Sequence, residues 1–61
     1  MPLITVQMFE GRTIEQKREL VAAITQAFAD AYGSTPEQVQ VFIHEVGDDN
    51  WAKGGTLAAD R

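Results

Sequence analysis

A chain of 61 residues with a formal charge of −4, five basic and nine acidic residues and 44% hydrophobic content has room for one small domain, residues 1–61, with a core too thin to stand firmly alone. With no cysteine and one histidine, His44, it cannot build disulfides, thiolate zinc sites, iron–sulfur clusters, thiol catalysis or a histidine metal centre, so oligomerisation is the remaining source of added stability. The acidic balance and the scatter of Arg12, Lys17, Arg18, Lys53 and Arg61 oppose binding to nucleic acid or to anionic membranes.

The first residues, Met1-Pro2-Leu3-Ile4-Thr5, carry no basic region ahead of an apolar stretch. No window approaches the roughly 18 uninterrupted apolar residues of a membrane span, so the expected compartment is the cytoplasm. Residues 3–9 are rich in β-branched and aromatic types, with Ile4, Val6 and Met8 alternating against Thr5 and Gln7; this predicts a strand with a mostly apolar face. Glu10-Gly11-Arg12 interrupts the alternation. Thr13-Ile14-Glu15-Gln16 then has the form of a capping box, Thr13 at the N-cap and Gln16 at N3. The helix it opens has Leu20, Ile24, Ala27, Phe28 and Ala31 at three-to-four spacing, with Val21 and Ala23 beside them, and Gly33 ends it near Tyr32.

Thr35 and Pro36 form a second capping pattern, with only a turn of helix before strand-like residues return. From Val39 to Val46 the side chains Val39, Val41 and Ile43 alternate with Gln40, Phe42 and His44, and apolar residues on both sides predict a strand covered twice. Asp48-Asp49-Asn50 reads as a polar loop and Lys53-Gly54-Gly55-Thr56 as a tight turn or short hairpin. Strand, helix and strand within about 46 residues make one βαβ unit with parallel strands and a right-handed crossover, an α+β protomer. Two strands and one helix do not form a stable sheet alone, which again calls for neighbouring copies.

The chemistry-bearing candidates are few. Pro2 opens a strand directly after Met1. Once that methionine is removed, it presents a secondary amine at the end of a sheet; α-amines titrate at about 7.7–8.0, and burial or nearby cations push them lower, toward a neutral base at pH 7. The plain alternative is a proline starting an edge strand, where its missing N–H costs nothing. Arg12, in the strand-to-helix loop, is a fork for a carboxylate or enolate oxygen, or else a solvated cation pairing with Glu10 or Glu15. Trp51 walls a pocket or is buried in a subunit contact. His44 reads as an interface or surface residue, and Asp48 and Asp49 as solvated loop.

Pro2 ahead of an apolar strand, the run Glu10-Gly11-Arg12-Thr13-Ile14-Glu15-Gln16-Lys17, the Thr35-Pro36 turn, and Trp51 shortly before Gly54-Gly55 together resemble the 4-oxalocrotonate tautomerase family over essentially the whole chain. The resemblance implies β-α-β protomers pairing into dimers, three dimers to a homohexamer, with active sites shared between subunits. It implies Pro2 as general base, Arg12 as the grip on a substrate carboxylate, and Trp51, where phenylalanine is more usual, as the apolar wall that keeps the proline amine neutral. Family members that act on a dienol diacid carry a second arginine on the second strand, and here that position is Gln40. Glutamine donates a hydrogen bond but brings no charge, so enolate stabilisation is weaker and a monoacid becomes the better candidate substrate.

The expected activity is therefore a cofactor-independent and metal-independent keto–enol proton transfer on a small unsaturated 2-oxo or 2-hydroxy carboxylic acid, with Pro2 and Arg12 catalytic and Arg12, Gln40 and Trp51 binding substrate. The Gln40 departure from the family pattern also opens a promiscuous hydration or dehalogenation activity as an alternative. The alternatives are a non-catalytic assembly protein of the same fold and an oligomeric binder of small carboxylates.

Overall fold

The structure, a computed structural model, describes residues 2–61. Strand β1 (Leu3–Phe9), helix α1 (Ile14–Tyr32) and strand β2 (Gln40–Val46) follow in the expected order, and a two-residue pair, β3 (Ala52–Lys53) and β4 (Thr56–Leu57), comes after them. β1 and β2 are parallel, in a register that runs from Leu3↔Gln40 to Phe9↔Val46. One crossover helix joins them, the connection parallel strands require.

Local chemistry accounts for each boundary. The Thr13 side chain accepts from the Gln16 N–H at 3.1 Å while the Gln16 side chain accepts from the Thr13 N–H at 3.0 Å, closing the capping box. At the other end the Gly33 N–H donates to Ala29 O at 2.9 Å. Pro36–Gln38 is a single 3₁₀ turn; Thr35 sits at its cap position, yet its side chain makes no capping hydrogen bond, contrary to the capping reading. The polar loop Asp48–Asn50 winds into a 3₁₀ turn and stays exposed. β3 and β4 pair antiparallel through Gly54 and Gly55, whose φ values of 60° and 82° give the twisted two-residue hairpin turn that other residues adopt at a cost.

The helix covers one face of the sheet. Lys17, Leu20, Val21, Ile24, Thr25 and Phe28 are half-buried, and Ala29, 6% exposed, is the one fully buried hydrophobic residue among those described. Ala23, Ala27 and Ala31, read from spacing as core-facing, are exposed. The covered stripe is centred between Val21 and Phe28, which leaves Ala27 off its edge, and Ala31 lies in the last turn. On the sheet, Ile4, Val6, Met8, Val41 and Ile43 are half-buried, while Leu3, Thr5, Gln7, Phe9, Gln40, Phe42 and His44 alternate outward. The strand expected to be covered twice is covered once within a single chain, with Phe42 57% exposed, and on the same face of β1 Leu3 is 61% exposed.

The chain is accordingly flat. It measures 43 × 24 × 15 Å with a radius of gyration of 14.6 Å, against about 10.5 Å for a compact domain of this length. Its accessible surface is 4654 Å², against about 3,900 Å² for a folded monomer of this mass. Among the described residues no helix is long and apolar enough to cross a membrane.

A candidate active site divided between two ends of the sheet

At the carboxyl end of β1 the chain turns through Glu10-Gly11-Arg12 into α1. The Glu10 N–H donates to Val46 O at 2.9 Å, prolonging the sheet by one rung. Gly11 then adopts φ 119°, a backbone conformation closed to most side chains, and this turns the chain sharply enough to leave Arg12 standing at the rim. The competition foreseen for Arg12 does not occur. Glu15 pairs with Arg18 on the helix surface, and Arg12 forms no ion pair among the described residues. The Glu10 carboxylate leans instead toward Gly47, where one oxygen would lie 3.3 Å from an added Cβ.

Trp51 follows the 3₁₀ turn at the same end. Its ring stacks on Phe9 with centroids 4.4 Å apart and planes 27° from parallel, a geometry that adds about 0.5–1.5 kcal/mol beyond simple burial. The Ala58 N–H donates to Trp51 O at 2.7 Å, so the final hairpin folds back and holds the tryptophan backbone. Met8, Phe9, Glu10, Gly11, Arg12 and Trp51 bound a hollow of about 420 Å³. A smaller one of about 210 Å³ lies on the helix side of Arg12, between Met8, Gln16, Lys17 and Leu20. One unpaired cation thus stands beside an aromatic and thioether wall, the setting in which a carboxylate is held by charge while its carbon chain is held by apolar contact.

Pro2 and Gln40 lie at the opposite end. The Gln40 N–H donates to Pro2 O at 3.0 Å, and Gln40 stands opposite Leu3 in the register. Pro2 is half-buried and Gln40 exposed. Met1, whose removal the amine chemistry requires, is outside the described residues. β1 has seven residues, and at about 3.3 Å per residue the two ends are about 20 Å apart. A small acid cannot touch both within one chain. The structure therefore joins Arg12 with Trp51 and Pro2 with Gln40, and separates the two pairs.

The sequence pattern leaves two participants unassigned, Phe9 and Lys17, while a third, His44, is exposed in keeping with its reading as an interface or surface residue. Phe9 ends the predicted strand, and as an aromatic side chain out of phase with Ile4, Val6 and Met8 it faces away from them. Lys17 bonds Glu45 at 2.5 Å, 28 residues away, and nothing local announces such a partner. His44 shares a hollow of about 280 Å³ with Gln7, Val46, Asn50, Trp51 and Ala52, on the outward face of the sheet, and its ring makes a T-shaped pair with Phe42, centroids 6.5 Å apart.

A family model described as tautomerase enzyme matches residues 2–61. The chain is 45% identical over 60 residues to a 2-hydroxymuconate tautomerase of Bacillus subtilis (strain 168), covering 98% of this chain and 97% of that protein. Among solved structures, a homologue of 4-oxalocrotonate tautomerase called YwhB superposes with a TM-score of 0.94 at 43% identity, covering 98% of each chain. A heterohexameric 4-oxalocrotonate tautomerase from Chloroflexus aurantiacus superposes with a TM-score of 0.92 at 38% identity, over 98% of this chain and 97% of that one.

Proposed function

The chain belongs to the tautomerase family, and from that premise we propose that residues 1–61 form a single domain that isomerises a small unsaturated 2-oxo or 2-hydroxy carboxylic acid by cofactor-independent proton transfer. The observation that carries this reading is the unpaired Arg12 beside the Phe9–Trp51 wall. Pro2, freed of Met1, is the general base. Its neutral nitrogen takes a proton from the hydroxyl or an acidic carbon of the substrate, the electron pair left behind is shared between the oxygen and the carbons of the conjugated dienolate, and the same nitrogen returns the proton to a carbon other than the site it came from. Arg12 holds the carboxylate, Gln40 donates a hydrogen bond to the carbonyl or enol oxygen, and Trp51 excludes water.

Since Arg12 and Pro2 stand at opposite ends of the sheet, the working site forms where the Pro2 end of one copy meets the Arg12 end of another. A homohexamer, a trimer of dimers, supplies such meetings. The hexameric relative and the uncovered face with Leu3 and Phe42 support this assembly.

The decisive comparison uses two preparations of the same sequence, one with Met1 retained and one fully processed, matched for oligomeric state. An amide nitrogen has its lone pair delocalised into the carbonyl and is no base, so activity is expected to track the processed fraction. The ascending limb of kcat/KM is expected to report an apparent pKa below that of an ordinary terminal amine, through desolvation and the neighbouring guanidinium. Equal rates in the two preparations eliminate Pro2 as the base. The neutral Gln40 favours a second reading, a non-catalytic binder of small carboxylates, in which blocking the amino terminus leaves binding intact.

A further inference from the structure

We propose that Lys17, through its ion pair with Glu45, positions Arg12 for the substrate carboxylate; this rests on the carboxylate reading of Arg12 given above. Arg12 projects from an exposed elbow of four residues, Glu10 to Thr13, so its placement depends on how the two ends of that elbow are tied down. The entry is tied by the Glu10 N–H to Val46 O. The capping box shapes the first turn of α1, but both of its hydrogen bonds are internal to that turn and leave its direction relative to the sheet open.

Lys17 supplies the missing tie. Its Nζ meets Glu45 Oε1 at 2.5 Å, with both side chains 26% exposed. Every other side-chain hydrogen bond among the described residues joins groups four or fewer positions apart, so this pair is the one side-chain polar link between helix and sheet. Glu45 and Val46 are consecutive in β2. The elbow is thus anchored at both ends on adjacent residues of one strand, a closed frame with Arg12 at its free corner. Lys17 also lines the smaller hollow beside Arg12 with Met8, Gln16 and Leu20, so movement of the helix start changes the floor beneath the guanidinium. A directional, partly desolvated pair fixes such an angle more sharply than apolar contact does, and its loss leaves Glu45 half-buried without its partner.

The consequence is kinetic. Because Arg12 holds the carboxylate in ground and transition states alike, loosening it raises KM with little change in kcat. A residue that only stabilises the fold lowers Tm and the active fraction and leaves KM alone. The test compares the processed oligomer with Lys17→Met, Lys17→Arg, Arg12→Ala and the Arg12→Ala/Lys17→Met double variant on a 2-hydroxydienoic monoacid. Arg12→Ala is expected to raise KM and lower kcat/KM by about 10²-fold, as for loss of a charge-assisted hydrogen bond. Lys17→Met is expected to raise KM about 5- to 10-fold with kcat within about 2-fold, and to add nothing once Arg12 is gone. Lys17→Arg, which keeps the pair, is expected to restore KM. If Lys17→Met fails to assemble, Glu45→Met removes the acceptor and with it the same tie, and is judged by the same coupling to Arg12. A lowered Tm with unchanged KM, or a KM effect of equal size with and without Arg12, overturns the positioning role. An unchanged KM in Arg12→Ala overturns the carboxylate reading and this inference with it.

Discussion

Gln40, a neutral residue, stands beside Pro2 at one end of the sheet, while Arg12, without an ion pair among the described residues, stands at the other. In the assembled site proposed here, a diacid places its second carboxylate against an amide in a partly desolvated pocket, where an anion without a counter-charge is costly. A monoacid avoids that cost and still uses Arg12. The ratio of kcat/KM for a monoacid over the matching diacid is therefore expected to exceed one, and Gln40→Arg to move it toward the diacid by about 10-fold or more. A preference for the diacid in the unaltered protein removes Gln40 from the pocket. At this scale the identity of Arg12 as a candidate was legible from its place after Gly11. Its freedom from Glu15 was not, because that depended on Arg18 taking the carboxylate one helical turn away.

Among the elements, those with a short-range code were readable. β1 announces itself by alternation, α1 by Thr13 and Gln16 at one end and Gly33 at the other, and the final hairpin by its paired glycines, since each signal and its consequence lie within a few residues. Alanine carries little such information. One methyl is indifferent to exposure, so spacing assigned Ala27 and Ala31 to the core where the fold buries Ala29 instead. Contacts that close over long separations, Phe9 with Trp51 and Lys17 with Glu45, have no local pattern to read. The capping box follows Arg12 directly, so its strength is expected to matter for the fold and the site together. Thr13→Ala removes the hydroxyl that accepts from Gln16 and is expected to cost about 1 kcal/mol, seen as a lower urea midpoint at fixed chain concentration. An unchanged midpoint indicates that the oligomer holds the first turn of α1 without its cap.

For the whole molecule, flatness and function have one cause. A 61-residue chain with a single helix covers one face of its sheet, leaving Leu3 and Phe42 outward on the other. The same parallel topology sends Pro2 with Gln40 to one end and Arg12 with Trp51 to the other. On the proposed reading stability and catalysis both depend on neighbouring copies, and no folded, active monomer is expected at micromolar concentration. Complementation tests the division of the site directly. Chains that retain Met1 lack the amine and keep Arg12; Arg12→Ala chains that have lost Met1 keep the amine and lack the guanidinium. With substrate held well below KM, where rate reports kcat/KM, each population alone is expected to be nearly inactive. If the two halves of every site come from different copies, co-refolding equal amounts creates sites with both groups intact, about a quarter of the total on random mixing. Activity is then expected to rise to about that fraction of the unaltered protein when the two are refolded together, and to stay at baseline when they are mixed as finished oligomers without exchange. Baseline activity after co-refolding, with mixed oligomers verified by mass, would place Pro2 and Arg12 of one site on one chain and refute the division.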